Sequence, residues 1–239
     1  MVSNKTPWSS ISDLMTALMV VFLFISIGYS YQITQQSQKI LDQSNQIEQR
    51  NNEISNIVSE WRDYKKLIYK SLLEEFEDDL RNWDAEITEE NLSIRFNNPS
   101  VLFRAGSSEI SQEFNDILRD FWPRYISTIK NFERYVREVR IEGHTSSEWE
   151  NVNLNEAYFN NMSLSQSRTR SALQNCYYYT AEEDLLWVRK NVTANGMSSS
   201  RLIYNDNGSE NVELSRRVEF TIVVDSSRKL QEISQEVAE

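Results

Sequence analysis

The chain has one cysteine and one histidine among its 239 residues. Cys176 therefore has no partner for an intramolecular disulfide, and the two residues together do not make a structural zinc site. Glycine (5) and proline (3) are also scarce. That points away from many-turned β proteins and disordered linkers and toward long helices. Positive charge is in deficit: the formal net charge is −11 and no lysine/arginine cluster interrupts it. Nucleic acid is thereby set aside as a partner, since phosphate binding needs a basic surface or stripe. Also missing are a nucleophile–base pair, a metal-ligand cluster and a phosphate-binding loop, so neither an enzyme nor a cofactor or metal protein is expected. The length suits one ordinary domain plus an extension.

What the chain does have is one long apolar segment, "WSSISDLMTALMVVFLFISIGYSY", at residues 8–31. Leu14 to Tyr31 is 18 residues without a charge. As a helix this run spans roughly 27 Å, close to a bilayer core of about 30 Å. Trp8 precedes it, and Tyr29 and Tyr31 close it, as interfacial aromatics would. A cleaved signal peptide is the rival reading. Against it, the preceding region holds only Lys5, the run is longer than a signal core, and no small-x-small site follows. An uncleaved anchor is therefore expected over 13–31, after a cytoplasmic tail at 1–12. Flanking charge does not decide orientation, because Lys5, Lys39 and Arg50 are too sparse. A short N-terminal tail more often stays in the cytoplasm.

One acid, Asp13, stands at the mouth of this segment. It has two readings. "SSISD" resembles a helix start, where Ser and Asp cap free N–H groups. Alternatively, a carboxylate at a membrane boundary binds and releases protons, facing protein or water rather than lipid. Thr16, Ala17 and Val20 share its helical face and are small enough for a partner helix to approach closely.

Residues 32–83 read as a linker helix. Ile33, Ile40, Ile47, Ile54 and Trp61 recur every seven residues, but of the companion positions Ser37, Ser44, Asn51 and Val58 only the last is apolar. This half-heptad fits a helix pairing weakly with an identical neighbour, or a single solvated helix. From about Asp84 the pattern changes. Leu92, Ile94 and Phe96 alternate as a strand. Ile110 to Ile129 follow the helical period. Val139 and Ile141 form a strand leading to "GHT". A helix starts at Ser163 with Leu164, Ala172, Leu173 and Cys176 inward. A short helix near 184–190, a strand "VTA" and a last strand through Val218, Phe220, Ile222 and Val224 follow. The expected fold class is a single transmembrane helix and linker helix, then an α+β domain over 84–225 with helices packed on one face of a mixed sheet. A polar tail, 226–239, ends the chain.

Two separated regions resemble one family. "WSSISDLMTALMVVFLF" resembles the transmembrane helix of MotB-type stator subunits. "IEGHTSS", "NNMSLSQSRTRSAL" and "SRRVEF" resemble an OmpA-like peptidoglycan-binding domain through Gly143, His144 and Thr145; Asn161, Leu164, Ser165 and Arg168; and Arg216, Arg217, Val218 and Glu219. The short N-terminus resembles the MotB-like subunit of Zorya anti-phage systems more than flagellar MotB, which carries a longer basic start.

The resemblance implies a single-pass subunit of the bacterial inner membrane, with its C-terminal domain in the periplasm. It implies a homodimer, through the membrane helix and linker, inside a pentameric ring of MotA-like membrane partners. Asp13 would carry protons, and Asn160, Asn161, Leu164, Arg168 and Arg217 would contact peptidoglycan. A passive wall tether without ion flow is the alternative. One departure stands out: the family's acid after "GHT", which with the helix arginine holds diaminopimelate, is Ser146 here. Glu148 or Glu150 can substitute, or Arg168 can merely bridge to an acid. His144 reads as a packed loop residue rather than a catalyst. Asn160 and Asn161 can cap the helix, bind ligand, or both. Of Arg216 and Arg217, one is expected to face the groove and the other the opposite face.

Overall fold

The computed structural model describes residues 7–97, 99–104 and 107–225, with side chains from Ile11 onward in the first helix. The first six residues, the Trp8 side chain and the polar tail from 226 lie outside the described residues. Helix α1 runs without a break over Pro7–Leu80, 74 residues. It opens on proline, whose missing N–H is harmless in a first turn. Contacts divide the chain into Met1–Asn56 and Ile57–Glu239.

In the first unit α1 leaves its apolar side chains uncovered. Leu14, Met15, Phe22 and Phe24 are exposed, as are Ile33, Ile40, Ile47 and Ile54 further on. The helix is long and apolar enough to cross a membrane. Thr16 and Ser26 return their hydroxyls to the carbonyls of Ser12 and Phe22, at 2.9 and 2.8 Å. Such back-bonding satisfies a hydroxyl without a partner.

The second unit begins with the last turns of α1, whose Ile68, Leu72 and Phe76 are fully buried in the domain core. A hairpin follows, β1 (Ala85–Thr88) and β2 (Ser93–Phe96), with Leu92 in the left-handed region at φ 50°. Then come α2 (Pro99–Leu102), α3 (Gln112–Lys130), β3 (Val136–His144), α4 (Leu154–Tyr178), a 3-10 turn at Glu182–Asp184, α5 (Leu185–Asn191), β4 (Val192–Ser198), α6 (Val212–Ser215) and β5 (Arg217–Val224). The sheet order is β1-β2-β5-β3-β4. Only β3 and β4 run parallel, joined by the crossover through α4 and α5; every other pair is antiparallel. Helices on a mixed sheet are thus the fold, as expected.

The expected apolar period of α3 is the buried face of that helix, from Phe114 through Trp122 to Ile129. Ser111 caps it, accepting from the Phe114 N–H at 3.0 Å. Phe76 from α1, Phe96 from β2, Phe121 from α3 and Phe220 from β5 meet in one aromatic cluster with centroids 5.0–5.8 Å apart. Edge-to-face pairs at such distances contribute beyond area burial.

Three features differ from the sequence reading. The edge strand β1 was not expected. Helix α4 begins at Leu154 rather than Ser163, capped by Asn153, which accepts from the Glu156 N–H. Asn160 and Asn161 consequently lie inside α4 and cap nothing. The start was illegible because the buried stripe of α4 is Ala157, Asn161, Ser165, Thr169, Ala172 and Cys176, small and partly polar rather than hydrophobic.

That stripe lets α4 lie close on the sheet. Gly143 of β3 and Gly196 of β4 are register partners beneath it. A Cβ on Gly196 would sit 2.4 Å from the Gln166 backbone nitrogen, and one on Gly143 would sit 2.7 Å from Thr169 Cγ2. Backbone cannot rotate away as a side chain can. Gly196→Ala should therefore destabilise the domain by about 1–3 kcal/mol. Urea unfolding of the detergent-solubilised chain, followed by tryptophan fluorescence, should show an earlier midpoint. Gly28→Ala, which meets open space, should not.

Candidate functional site

Each unit carries one candidate site. In the first, Asp13 lies in the second turn of α1, since the helix starts at Pro7. It is exposed and lies six residues past the first helical residue, so it does not cap α1. Between Lys5 and Lys39 it is the sole charged residue. Thr16, Ala17 and Val20, one turn and two turns on, are likewise exposed.

The second site forms where β3 ends, over the start of α4. A bulge between Gly143 and His144 turns the chain into the loop at 145–153. Asn161 holds this loop from the helix: its Nδ2 donates to the carbonyls of Ser146 and Glu148, both at 3.1 Å. Glu210 holds it from the far side, accepting from the Ser147 N–H at 3.0 Å and from the Ser147 hydroxyl. Arg216, between α6 and β5, donates from Nε to Ser146 Oγ at 2.9 Å and from Nη2 to Glu148 Oε2 at 3.2 Å. Ser146 itself is buried and Glu148 exposed.

Arg168 of α4 completes the group. Its Nε donates to the Ser107 carbonyl at 3.0 Å, and its guanidinium lies 4.9 Å from the Phe103 ring centroid. Burial, together with the neighbouring Arg216 cation, pulls its pKa down to about 10. Among the described residues no carboxylate pairs with it, so the reading of Arg168 as a simple bridge to an acid does not hold. A half-buried guanidinium without a carboxylate partner among the described residues, beside a second guanidinium, has the chemistry to accept an anion.

Asn161 holds the loop, whereas Arg168, two turns further along α4, contacts Ser107 and Phe103 and senses the loop only through the neighbouring Arg216 charge. Asn160 and Leu164 are only partly buried on other sides of α4. Arg217 does not join them: it is Arg216 that faces Ser146, while Arg217 is buried behind the sheet. Glu210 had no sequence signal at all, because its role is set by a fold contact 63 residues away.

Behind the sheet, one register row runs Glu86–Arg95–Glu219–Glu142 across four strands. Arg95 Nε and Arg217 Nε both donate to Glu219 Oε1, at 2.9 and 2.6 Å, and Arg201 Nη1 donates to Glu142 Oε2 at 3.1 Å. Burial opposes charge on Glu219, yet the Arg217 hydrogen bond and nearby cations hold its carboxyl below the usual range. Burial pushes Glu142 up, and Arg201 offsets this only in part. Glu142, His144 and Glu219 lie close enough to resemble a metal-ligand set. The arginines already occupy one oxygen of each carboxylate, and their charge repels a cation. His144 is 3% exposed, and neither ring nitrogen has a hydrogen-bond partner among the described residues. It is a packed residue at the end of β3. Burial first, then the Arg217 charge, lowers its pKa to about 3.

No protein-family model matches the chain. It is 40% identical over 233 residues to the Zorya protein ZorB of Escherichia coli, covering 96% of this chain and 92% of that protein. The chain belongs to the ZorB family. Among solved structures it resembles the MotB-like protein of Desulfovibrio vulgaris at 19% identity, with 70% of this chain and 95% of that one covered and a TM-score of 0.49. It also resembles the cell wall anchor of the T6SS from Pseudomonas aeruginosa at 19% identity, covering 64% and 97%, with a TM-score of 0.45. The periplasmic domain of Helicobacter pylori MotB is 17% identical over 61% of this chain and 83% of its own, with a TM-score of 0.43.

The buried histidine has a pH consequence. An unfolded chain protonates His144 below about pH 6.5, whereas the fold resists until about 3. Between those values acidification penalises the fold by up to about 1.4 kcal/mol per pH unit. Glu219, with its lowered pKa, adds loss only below the ordinary carboxylate range. His144→Gln should therefore flatten the dependence of unfolding free energy on pH between about 6.5 and 4.5, whatever it does to absolute stability. Urea titrations at several pH values would test this, and an unchanged slope would refute it.

Proposed function

We propose that this ZorB-family chain is a MotB-like, cell-wall-anchored stator subunit of a proton-driven motor acting in anti-phage defence. The observation that carries the reading is Asp13, a lone carboxylate near the start of an uncovered apolar helix. An isolated acid at membrane depth costs about 2.5–3.5 kcal/mol when charged. It persists only where a partner or water receives it. The small exposed face around Asp13 and the exposed isoleucines of the linker support two copies pairing along α1. They would do so within a pentameric ring of MotA-like subunits, in the bacterial inner membrane.

In this reading α1 crosses the membrane with its N-terminus in the cytoplasm, and the α+β domain lies in the periplasm. Asp13 takes a proton arriving from the periplasmic side. Neutralised, it loses its charged contact with the ring; release to the cytoplasm restores it. One charge crossing 100 mV supplies about 2.3 kcal/mol, enough to shift a two-state contact roughly 50-fold. The wall-facing end is the Arg168–Arg216 pair, where the Arg168 guanidinium, without a carboxylate partner among the described residues, suits a carboxylate of the peptidoglycan stem. Holding the wall keeps the stator from turning with its ring.

Replacing Asp13 with Asn removes the titrating proton but keeps size and hydrogen bonding. Plaque counts on cells carrying the system should rise to those of cells without it, while co-purification with the membrane partner is retained. Full protection by the Asp13→Asn protein would leave a passive tether as the better reading.

A further inference from the structure

At the start of β3, the opposite end from the loop at 145–153, lies a groove of about 790 Å³. Val136 of β3 and Leu186 and Trp187 of α5 line it, with Lys130, Arg134, Arg137 and Lys190 around them. Leu186 is 78% exposed. The described chain ends at this groove. β5 closes with Val224 in register with Val136, and the Asp225 N–H donates to the Tyr135 carbonyl at 2.8 Å. Val136 and Asp225 both line the groove, so the chain leaves the sheet on its rim. Residues 226–239 follow, with the sequence "SSRKLQEISQEVAE". Their large apolar residues are Leu230, Ile233 and Val237, spaced by three and four, the period of one helical face. Leu230 is five residues beyond Asp225, at most about 17 Å of extended chain, so the stripe starts within reach of the groove.

We propose that the groove is the seat of the chain's own tail, which lays Leu230, Ile233 and Val237 over Leu186 and Trp187. Charge agrees with this occupant. The four cations of the groove meet three acids there, Glu133, Glu183 and Asp225, a positive surplus in a chain whose net charge is −11. The tail has the reverse surplus, Arg228 and Lys229 against Glu232, Glu236 and Glu239. Lys130 already pairs with Asp184 and Arg137 with Glu138. Arg134 and Lys190 have no ion pair among the described residues and are the partners left for the tail's acids. Tethering decides between occupants. A segment joined at the rim is present at an effective concentration on the order of millimolar. A second copy or another protein must bind from solution, where a specific interface needs about 1,000 Å². Three apolar side chains fall short of that, but suffice for a segment already in place.

Cysteine chemistry on the full chain in detergent tests this, because the native Cys176 is fully buried and stays out of the reaction. Leu186→Cys should react with a maleimide about tenfold more slowly when the tail is unaltered than when it carries Leu230→Ser and Ile233→Ser, as a tail seated about nine-tenths of the time requires. The altered tail keeps its length and charges but loses its stripe. Leu154→Cys, 80% exposed at the start of α4, should react at one rate with either tail. Leu186→Cys combined with Ile233→Cys should oxidise to a disulfide within one chain, seen as a faster-migrating monomer that reverts on reduction. Equal labelling rates of Leu186→Cys with the two tails overturn the proposal. A disulfide found only between two chains also overturns it and makes the tail of a second copy the occupant. Slow labelling that persists with the altered tail overturns it too, because something other than the stripe then covers Leu186.

Discussion

The close approach of α4 to two bare strands is the contact on which the domain's site depends. Gly143 and Gly196 sit side by side in the sheet and leave no Cβ to hold the helix away. α4 answers with Ser165 and Thr169, small enough to fit and polar enough to be useful. Ser165 Oγ accepts from the Ser198 N–H at 3.1 Å, where β4 turns through a left-handed φ of 52°. Thr169 returns its hydroxyl to the Ser165 carbonyl. Seated this deeply, the helix delivers Asn161 under the loop at 145–153 and Arg168 beside Arg216. A helix held a side chain further out would reach neither.

The two faces of the sheet solve different problems. Toward the helices it presents Ile94, Phe96, Val218, Phe220, Ile222, Val139 and Ile141, which carry the hydrophobic term. On the other face the same strands present Arg95, Glu219, Glu142 and Arg217, buried or nearly so. Buried charges are tolerable only when paired and hydrogen-bonded. Here Arg95 reaches Glu219 across the β2–β5 boundary while Arg217 reaches the same oxygen along β5, so the network ties register to charge balance. A slip of one residue would place the arginines among the aromatics. Away from this network, Arg168 and Arg216 lie close enough to share their charge, with one carboxylate, Glu148, between the two of them among the described residues.

Much of this was legible in the residues. The apolar run at 14–31 with its solitary acid needed no fold to be noticed, because length and charge are properties of the chain itself. The helical period from Phe114 to Ile129 and the alternation from Val218 to Val224 announced their buried faces directly. The edge strand β1 escaped notice because "AEIT" is four residues long and only partly buried, too short for alternation to register. The first turns of α4 escaped because their buried positions are Ala157 and Asn161, which carry no hydrophobic signal.

By itself the sequence determined the class of the protein: an apolar helix with one carboxylate, a long helix with a seven-residue isoleucine stripe, and an α+β domain bearing "GHT", an arginine helix and "SRRVEF". These follow from local composition and period, which are one-dimensional. Only the tertiary structure decided which arginine meets the loop at 145–153 and which acid stands by it. Arg216 and Arg217 are neighbours in sequence but fall on opposite sides once β5 takes its register against β3. Glu148, Glu150 and Glu210 are indistinguishable as residue types. What separates them is contact: Glu210 is held on Ser147, Glu148 is held on Arg216, and Glu150 has neither contact. Those contacts join elements 60 or more residues apart, beyond what a local pattern encodes.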